Sequence, residues 1–259
     1  MNMKFVFFGG KESPFAEIIL NNLKKSGLMP IVAFRNAREA LDIDYLKSLK
    51  ADVFVVASFG KILKRDVLEI PPMGVIGVHP SLLPRLRGSS PIQSAILNDE
   101  KETGVSLFII DEKVDHGPVL SEERIAIDEK DNYTTLQEKL AELSSEMLIE
   151  MLPKITDGKI KSEIQDELMA TFTKKFATED AFIDLKSSNQ KENWLKIRAL
   201  NPEPGTYTIL KLKNGKELRL KILEADFENG KLELKIVQPE GKKPMPYSAF
   251  LNGYGKLLK

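Results

Sequence analysis

The chain has 259 residues, with 38 Lys plus Arg against 38 Asp plus Glu and no cysteine. A zero net charge excludes a highly charged tail protein and a uniformly basic nucleic-acid coat, and the missing cysteines exclude disulfides, thiolate catalysis and cysteine-based zinc sites. Hydrophobic residues at 42% and charged residues at 29% suit a folded globular chain with one large domain or two smaller ones.

Lys4–Phe8 is a short apolar run ending at Gly9-Gly10. Ser13-Pro14 then opens a stretch with Phe15, Ile18, Ile19, Leu20 and Leu23 at helical spacing, closed by Gly27; this is strand, glycine turn, helix. Ile31–Phe34, Val53–Ala57, Gly74–Val78 and Gly104–Ile110 read as further strands, and Val53–Ala57 is apolar enough to be buried on both faces. Pro91–Leu97 reads as helix, as does Lys130–Leu152, with Pro153 expected to stop it. Alternating strands and helices predict an α/β domain with a Rossmann-like, mostly parallel sheet. The start, Met1 to Gly9, is too short for a signal peptide. No apolar run approaches the ~20 residues of a membrane span, so a cytoplasmic protein without a membrane partner is expected.

The pattern changes after Gly158. Thr206–Lys213, Glu217–Ala225 and Lys231–Val237 are strand candidates separated by Asn214-Gly215 and Asn229-Gly230, which are hairpin signals. A small β-rich domain is expected, with the division at residues 1–165 and 166–259. Charge divides with it. From Thr171 onward there are 17 basic and 11 acidic residues, a net of +6, which leaves −6 for the rest. Such a split points to two jobs, one of them suited to an anionic partner.

Only two histidines are present, His79 and His116. His79 follows a strand candidate, where open α/β sheets line their ligand crevice, and the polar, basic Arg85–Ser90 segment comes next. A hydrogen-bonded loop histidine would look the same. Asp115 lies two residues before Gly117-Pro118, where a carboxylate is commonly a turn former. Neither residue alone identifies a reaction. Gly9-Gly10 is not GxGxxG, which disfavours a dinucleotide site, and two histidines without ligand spacing disfavour a metal site.

The string HPSLLPRLRGSSPIQSAI from His79, followed by ETGVSLFIID and VDHGPVL, resembles the methionyl-tRNA formyltransferase family. So do Phe8-Gly9 with Ser13–Ala16, the run Ser58-Phe59-Gly60-Lys61-Ile62-Leu63, the segment Ile197–Gly205, and the closing Gly241–Met245 and Phe250–Gly253. The similarity covers nearly the whole chain, as a short form. It implies a catalytic domain followed by an OB-like barrel. It also implies formyl transfer from 10-formyltetrahydrofolate, without a metal, to the α-amine of methionine on initiator tRNA, by a monomer. His79 matches the family's histidine and Asp115 its aspartate: His79 would stabilise the oxyanion or protonate the departing nitrogen, and Asp115 would hold His79 and help strip the amine proton. Ser58, Phe59, Gly60, Lys61, Ile62 and Leu63, with Ser81, Leu82, Leu83 and Pro84, would face the folate.

One departure concerns catalysis. The family's asparagine matches Gly77, and losing one oxyanion donor costs about 10²–10³ in turnover. A water-filled polar gap is expected there, and Gly77→Asn is expected to be faster by roughly tenfold or more. The glycine is compatible with a slow transferase, an attenuated or inactive tRNA- or folate-binding relative, or an engineered loss. A small-amine acceptor such as an amino sugar nucleotide is a further alternative, but would not need the +6 half. A second departure is the short Arg35–Asp52 stretch, whose four basic residues are balanced by four acids. The tRNA contacts then fall to Arg85, Arg87, Lys174, Lys175, Lys211, Lys213, Lys216, Lys242 and Lys243, acting on phosphates.

Overall fold

The computed structural model describes residues 3–155 and 161–258; Gly158, where the sequence pattern changes, lies outside them. Two compact units are present. The first comprises residues up to Pro91, Lys101–Asp128 and Thr135–Thr173, and the second comprises Ile92–Glu100, Glu129–Thr134 and the chain from Lys174.

The first unit holds strands β1 (Phe5–Phe8), β2 (Val32–Phe34), β3 (Val53–Ala57), β4 (Val75–His79), β5 (Glu102–Ile109) and β6 (Val119–Ala126). They form one sheet in the order β2-β1-β3-β4-β5-β6. The first four are mutually parallel, while β5 runs antiparallel to β4 and β6 antiparallel to β5. The sheet is thus the mixed, largely parallel one expected. All four residues of β1 are buried, as a central parallel strand requires. Phe8 stacks on Phe34 at 4.9 Å and meets Phe59 edge-on at 5.4 Å, in a core shared with Leu46, Phe54 and Leu63.

Helix α1 (Pro14–Lys25) starts where Ser13 Oγ accepts from the Ala16 N–H and proline takes the first position, so two of the expected start signals act together. Helix α2 (Ile43–Ser48) is capped by Asp42; α3 (Arg65–Leu68) and α4 (Pro91–Leu97) are short. Helix α5 (Tyr133–Ile155) buries Leu136, Leu140, Leu148 and Leu152. It does not stop before Pro153. Proline forgoes the hydrogen bond that an N–H would give to the Ile149 carbonyl, while Leu148, Met151 and Leu152 stay buried and hold the helix through it.

The second unit contains α6 (Gln190–Leu200), strands β7 (Tyr207–Lys211), β8 (Glu217–Glu228), β9 (Lys231–Pro239) and β10 (Met245–Pro246), and α7 (Tyr247–Tyr254). The strands form an antiparallel sheet in the order β10-β9-β8-β7. Asn229 and Gly230 have φ of 51° and 77°, the paired positive values of a type I′ hairpin turn. Alternation places Thr208, Leu220, Ile222 and Val237 inside. Asn201 closes this core: its Nδ2 lies 3.0 Å from the Ile222 carbonyl, and its Oδ1 accepts from Thr206 N at 3.0 Å.

Candidate active site

The strand order reverses direction at β1 and β3, because the chain goes from β1 to β2 on one side and returns to β3 on the other. Ligand crevices form at such switch points, beyond the carboxyl ends of the strands. Gly9-Gly10 leave β1 there and Ser58 leaves β3, joined by the Gly10 N–H donating to Ser58 O at 3.1 Å. His79 is the last residue of β4, the next strand in the sheet, one position further into the strand than the sequence implied.

His79 is buried, and its Nε2 lies 2.9 Å from the Leu86 carbonyl. A carbonyl only accepts, so Nε2 carries the hydrogen. Leu86 reaches this position with φ of 58°, and Asp115 has φ of 47°. Left-handed backbone at two non-glycine residues of one site is strain that the surroundings must hold. Asp115 Oδ2 lies 3.6 Å from His79 Nδ1 and accepts from Gly88 N at 2.7 Å. It therefore does not hold the ring by a direct hydrogen bond, as the sequence reading expected. The Leu86 carbonyl does that, which leaves Nδ1 and the carboxylate side by side and available to a reacting group.

What holds Asp115 was not visible in the sequence. Gln165 Nε2 donates to the Asp115 carbonyl at 2.9 Å and to the Gly117 carbonyl at 2.7 Å. Its Oε1 accepts from Arg87 Nε at 3.0 Å and Nη2 at 2.8 Å. Arg87 is 1% exposed, and Glu167 takes its other donors at 2.7 and 3.2 Å. The Glu167 carboxyl is held below its usual range, first by this hydrogen bond. The backbone of Arg87 pairs with Thr171 and Thr173, and Thr173 Oγ1 also accepts from Ser90 N. One amide side chain and one guanidinium thus tie together the loops that carry His79 and Asp115. His116, beside them, pairs with Asp111 at 2.6 Å. Among the described residues no group of metal-ligating side chains is found.

Gly77 is not beside a polar, roomy gap. A Cβ at this position would lie 2.4 Å from Phe108 Cε1 and 3.0 Å from Ile110 Cγ1. Phe108, opposite Gly77 in the β4–β5 ladder, fills the space and meets the His79 ring edge-on at 6.5 Å. Glycine within a strand commonly marks such a close approach. The wall beside His79 is apolar, and a side chain at Gly77 requires the Phe108 ring to move aside.

The folate-loop candidates divide. Phe59 and Leu63 are buried in the core beside β1, whereas Ser58 and Gly60 are exposed and Ile62 is 80% exposed. Lys61 Nζ donates to the Glu39 carbonyl at 2.6 Å. In the second segment Ser81 is buried and donates to Arg85 O at 2.7 Å, while Leu83 N donates to Ser106 Oγ. Leu83 and Pro84 also line a cleft of about 370 Å³ with Ser121, Glu122 and Gln165. Among the tRNA candidates, Arg87 is ruled out as a phosphate contact by burial. Lys174 is paired with Asp180 at 2.5 Å and Lys213 is bonded to the Lys256 carbonyl. Arg85, Lys175, Lys211, Lys216, Lys242 and Lys243 are exposed.

The histidine–carboxylate pair lies at the end of β4, beside the switch point, and residues 32–152 match the formyl transferase family. A methionyl-tRNA formyltransferase of Dictyoglomus turgidum is 42% identical over 238 residues, covering 82% of this chain and 74% of that protein. The chain belongs to the methionyl-tRNA formyltransferase family. Its fold is shared with the methionyl-tRNA formyltransferase from Clostridium thermocellum (TM-score 0.69, 18% identity, 92% of this chain and 98% of the other). It is also shared with HypX from Aquifex aeolicus in complex with tetrahydrofolic acid (TM-score 0.74, 16% identity, 99% of this chain and 48% of the other).

Proposed function

We propose that this chain transfers the formyl group of 10-formyltetrahydrofolate to the α-amine of methionine on initiator tRNA, and so supports translation initiation. The observation that carries this reading is the 3.6 Å pairing of His79 with Asp115 at the end of β4, in a chain of this family. Support for the donor at this edge comes from Ser58 and Gly60, which present exposed backbone at φ of 47° and 75°, and from the exposed apolar side chain of Ile62. With Ser81–Pro84 these residues would hold the folate. Bound there, the donor supplies the electrophilic carbonyl carbon.

His79 gives its Nε2 hydrogen to Leu86, so Nδ1 is the nitrogen left for the reaction. When protonated, Nδ1–H stabilises the negative charge that develops on the carbonyl oxygen and then donates its proton to the departing nitrogen. Asp115 keeps Oδ2 on the Gly88 N–H, and its Oδ1 accepts a proton from the attacking amine. Gly77 contributes no donor, so the oxyanion relies on His79. The first unit, which runs to Thr173, would carry catalysis, and the chain from Lys174, with its excess of positive charge, would lie along tRNA. The test is formylation of charged initiator tRNA: the chain should form formyl-methionyl-tRNA, and His79→Ala should abolish it. No product from the unaltered chain, or full activity in the variant, would sink the reading.

A further inference from the structure

The loop that carries Asp115 joins β5 to β6. Its ends are fixed where the Ile110 N–H donates to the Val75 carbonyl at 2.8 Å and the Ile109 N–H to the Pro118 carbonyl at 2.9 Å. Between those anchors Asp115 keeps φ of 47°, a backbone state that a non-glycine residue leaves unless its surroundings hold it. Gln165 holds the carbonyls of Asp115 and Gly117, the residues on either side of His116. The His116 ring is a second hold, and it takes no part in the proton transfers assigned to His79 and Asp115.

That ring lies between two carboxylates. Its Nδ1 is 2.6 Å from Asp111 Oδ2, on the same loop, and its Nε2 is 3.5 Å from Glu167 Oε1, on the 161–173 segment. The segment is firmly seated, because Glu163 pairs with Val119 and both Thr171 and Thr173 bond the backbone of Arg87. A carboxylate only accepts, so Nδ1 carries a hydrogen. In a neutral ring Nε2 would then turn a lone pair toward Glu167. A ring protonated at both nitrogens attracts both carboxylates and spans from the loop to the segment. Arg87 shares Glu167 Oε1 at 2.7 Å, and Lys113, on the loop, acts on the same carboxyl. The Asp115 carboxylate is directed to His79 and the Gly88 N–H. With 28% of its side chain exposed, His116 can exchange protons with solvent.

We infer that His116 is a positioning residue for Asp115: its imidazolium ties the Asp111–Gly117 loop to Glu167, and that tie keeps the Asp115 carboxylate beside His79 Nδ1. The inference rests on the proposed formyl transfer, although the tie itself can be measured without turnover. It is complete while Glu167 is ionised and the ring holds both protons. As pH rises and the ring loses its second proton, the tie fades. Proton transfers at His79 and at the attacking amine also depend on pH, so a ratio of rates between two forms of the chain isolates the part due to His116.

The experiment measures kcat and KM for formylation of charged initiator tRNA across a pH series, with folding checked by circular dichroism. It compares the unaltered chain with His116→Gln, which keeps a donor and loses the charge. At the acid end, above the carboxylate range, kcat of His116→Gln should be about fivefold lower, the effect of losing a partly exposed ion pair. KM for 10-formyltetrahydrofolate and for tRNA should stay within about twofold. Toward alkaline pH the two rates should converge, with a midpoint that matches titration of the His116 ring followed by NMR. A loss of kcat by the same factor at every pH would mark a merely structural role and overturn the inference, as would a change in KM alone. In a Glu167→Gln background, His116→Gln should lower kcat by less than about twofold, because the tie is already missing; an undiminished loss would show that Glu167 is not its anchor and overturn the inference. Hydrogen exchange of residues 111–117 supplies the readout without turnover: His116→Gln should exchange about fivefold faster than the unaltered chain at the acid end and equally fast at the alkaline end. Should the unaltered chain form no formyl-methionyl-tRNA, the proposed function fails and the exchange comparison alone decides whether the tie exists. Equal exchange at every pH would overturn the inference even where formylation stands.

Discussion

Gly77→Asn puts the reading of the apolar wall to its sharpest test. The new Cβ would start 2.4 Å from Phe108 Cε1 and 2.6 Å from Cζ, while ordinary carbon contacts lie at about 3.5–4.0 Å. The ring must therefore retreat by roughly 1 Å inside a site where Phe108 is 3% exposed. Overpacking of this kind costs about 1–3 kcal/mol, and the incoming amide adds a polar group against an apolar wall. The single variant should lose that much stability in urea unfolding and should gain no formylation rate. Phe108→Leu removes the obstructing atoms, so Gly77→Asn/Phe108→Leu should be less destabilised than the sum of the two single changes, with a coupling of about 0.5–3 kcal/mol. Only in that background should turnover rise, by about tenfold or more if the amide reaches the oxyanion. A Gly77→Asn protein of unchanged stability and raised turnover, with Phe108 intact, would refute the claim that the ring closes this position.

Gln165→Ala removes both donors to the Asp115 loop and leaves Arg87 short of an acceptor. It should cost about 1–3 kcal/mol of stability in urea unfolding and lower formylation turnover more than it raises KM. Arg87→Met should reduce stability and leave the salt slope of tRNA binding untouched; a change in slope would show that Arg87 reaches phosphate after all. The Glu167 carboxyl is depressed by Arg87, so its stabilising effect is complete above the ordinary carboxylate range and fades as pH falls through the lower folded value. Hydrogen exchange in segment 163–173 should accelerate on that acid limb in the unaltered chain and show no such limb in Glu167→Gln. Gly230→Ala should cost about 1 kcal/mol in thermal or urea unfolding, because φ of 77° at the hairpin turn suits glycine alone.

The elements that were legible in the sequence are those set by local chemistry. Ser13-Pro14 specified a helix start because cap and first position are satisfied by neighbours in the chain. Val53–Ala57 was legible because a strand covered on both faces needs five apolar residues in a row. Asn229-Gly230 was legible because few other pairs tolerate two positive φ values. Strand β6 was not, since VLSEERIA is half exposed and its alternation is irregular. Pro153 misled because packing of the buried Leu148, Met151 and Leu152 outweighs the one hydrogen bond that the proline removes. At the site, His79 and Asp115 were legible by type and motif, but their supports were not. Gln165 is 50 residues from Asp115 and 78 from Arg87, and no local pattern distinguishes it from a surface glutamine. Arg87 read as a tRNA contact because a basic residue in a glycine-containing loop is usually exposed. Only the tertiary structure shows the buried acceptors that satisfy it.

Gly77 and Phe108 bear together on which kinetic constant should change. An asparagine donor acts on charge that exists in the transition state and hardly at all in the bound substrates, so its absence should lower kcat and leave binding of folate and tRNA little altered. Phe108 works differently, since its ring keeps water away from one side of His79 and strengthens the field that an imidazolium exerts on a nearby oxygen. A water-filled gap would have offered a weak donor and screened that field; the aromatic wall offers no donor and screens less. Widening the space with Phe108→Ala therefore should not mimic the lost amide by admitting water. It should lower kcat further, and a rise in kcat on that substitution would show that a solvent donor, rather than exclusion of solvent, is what this site lacks.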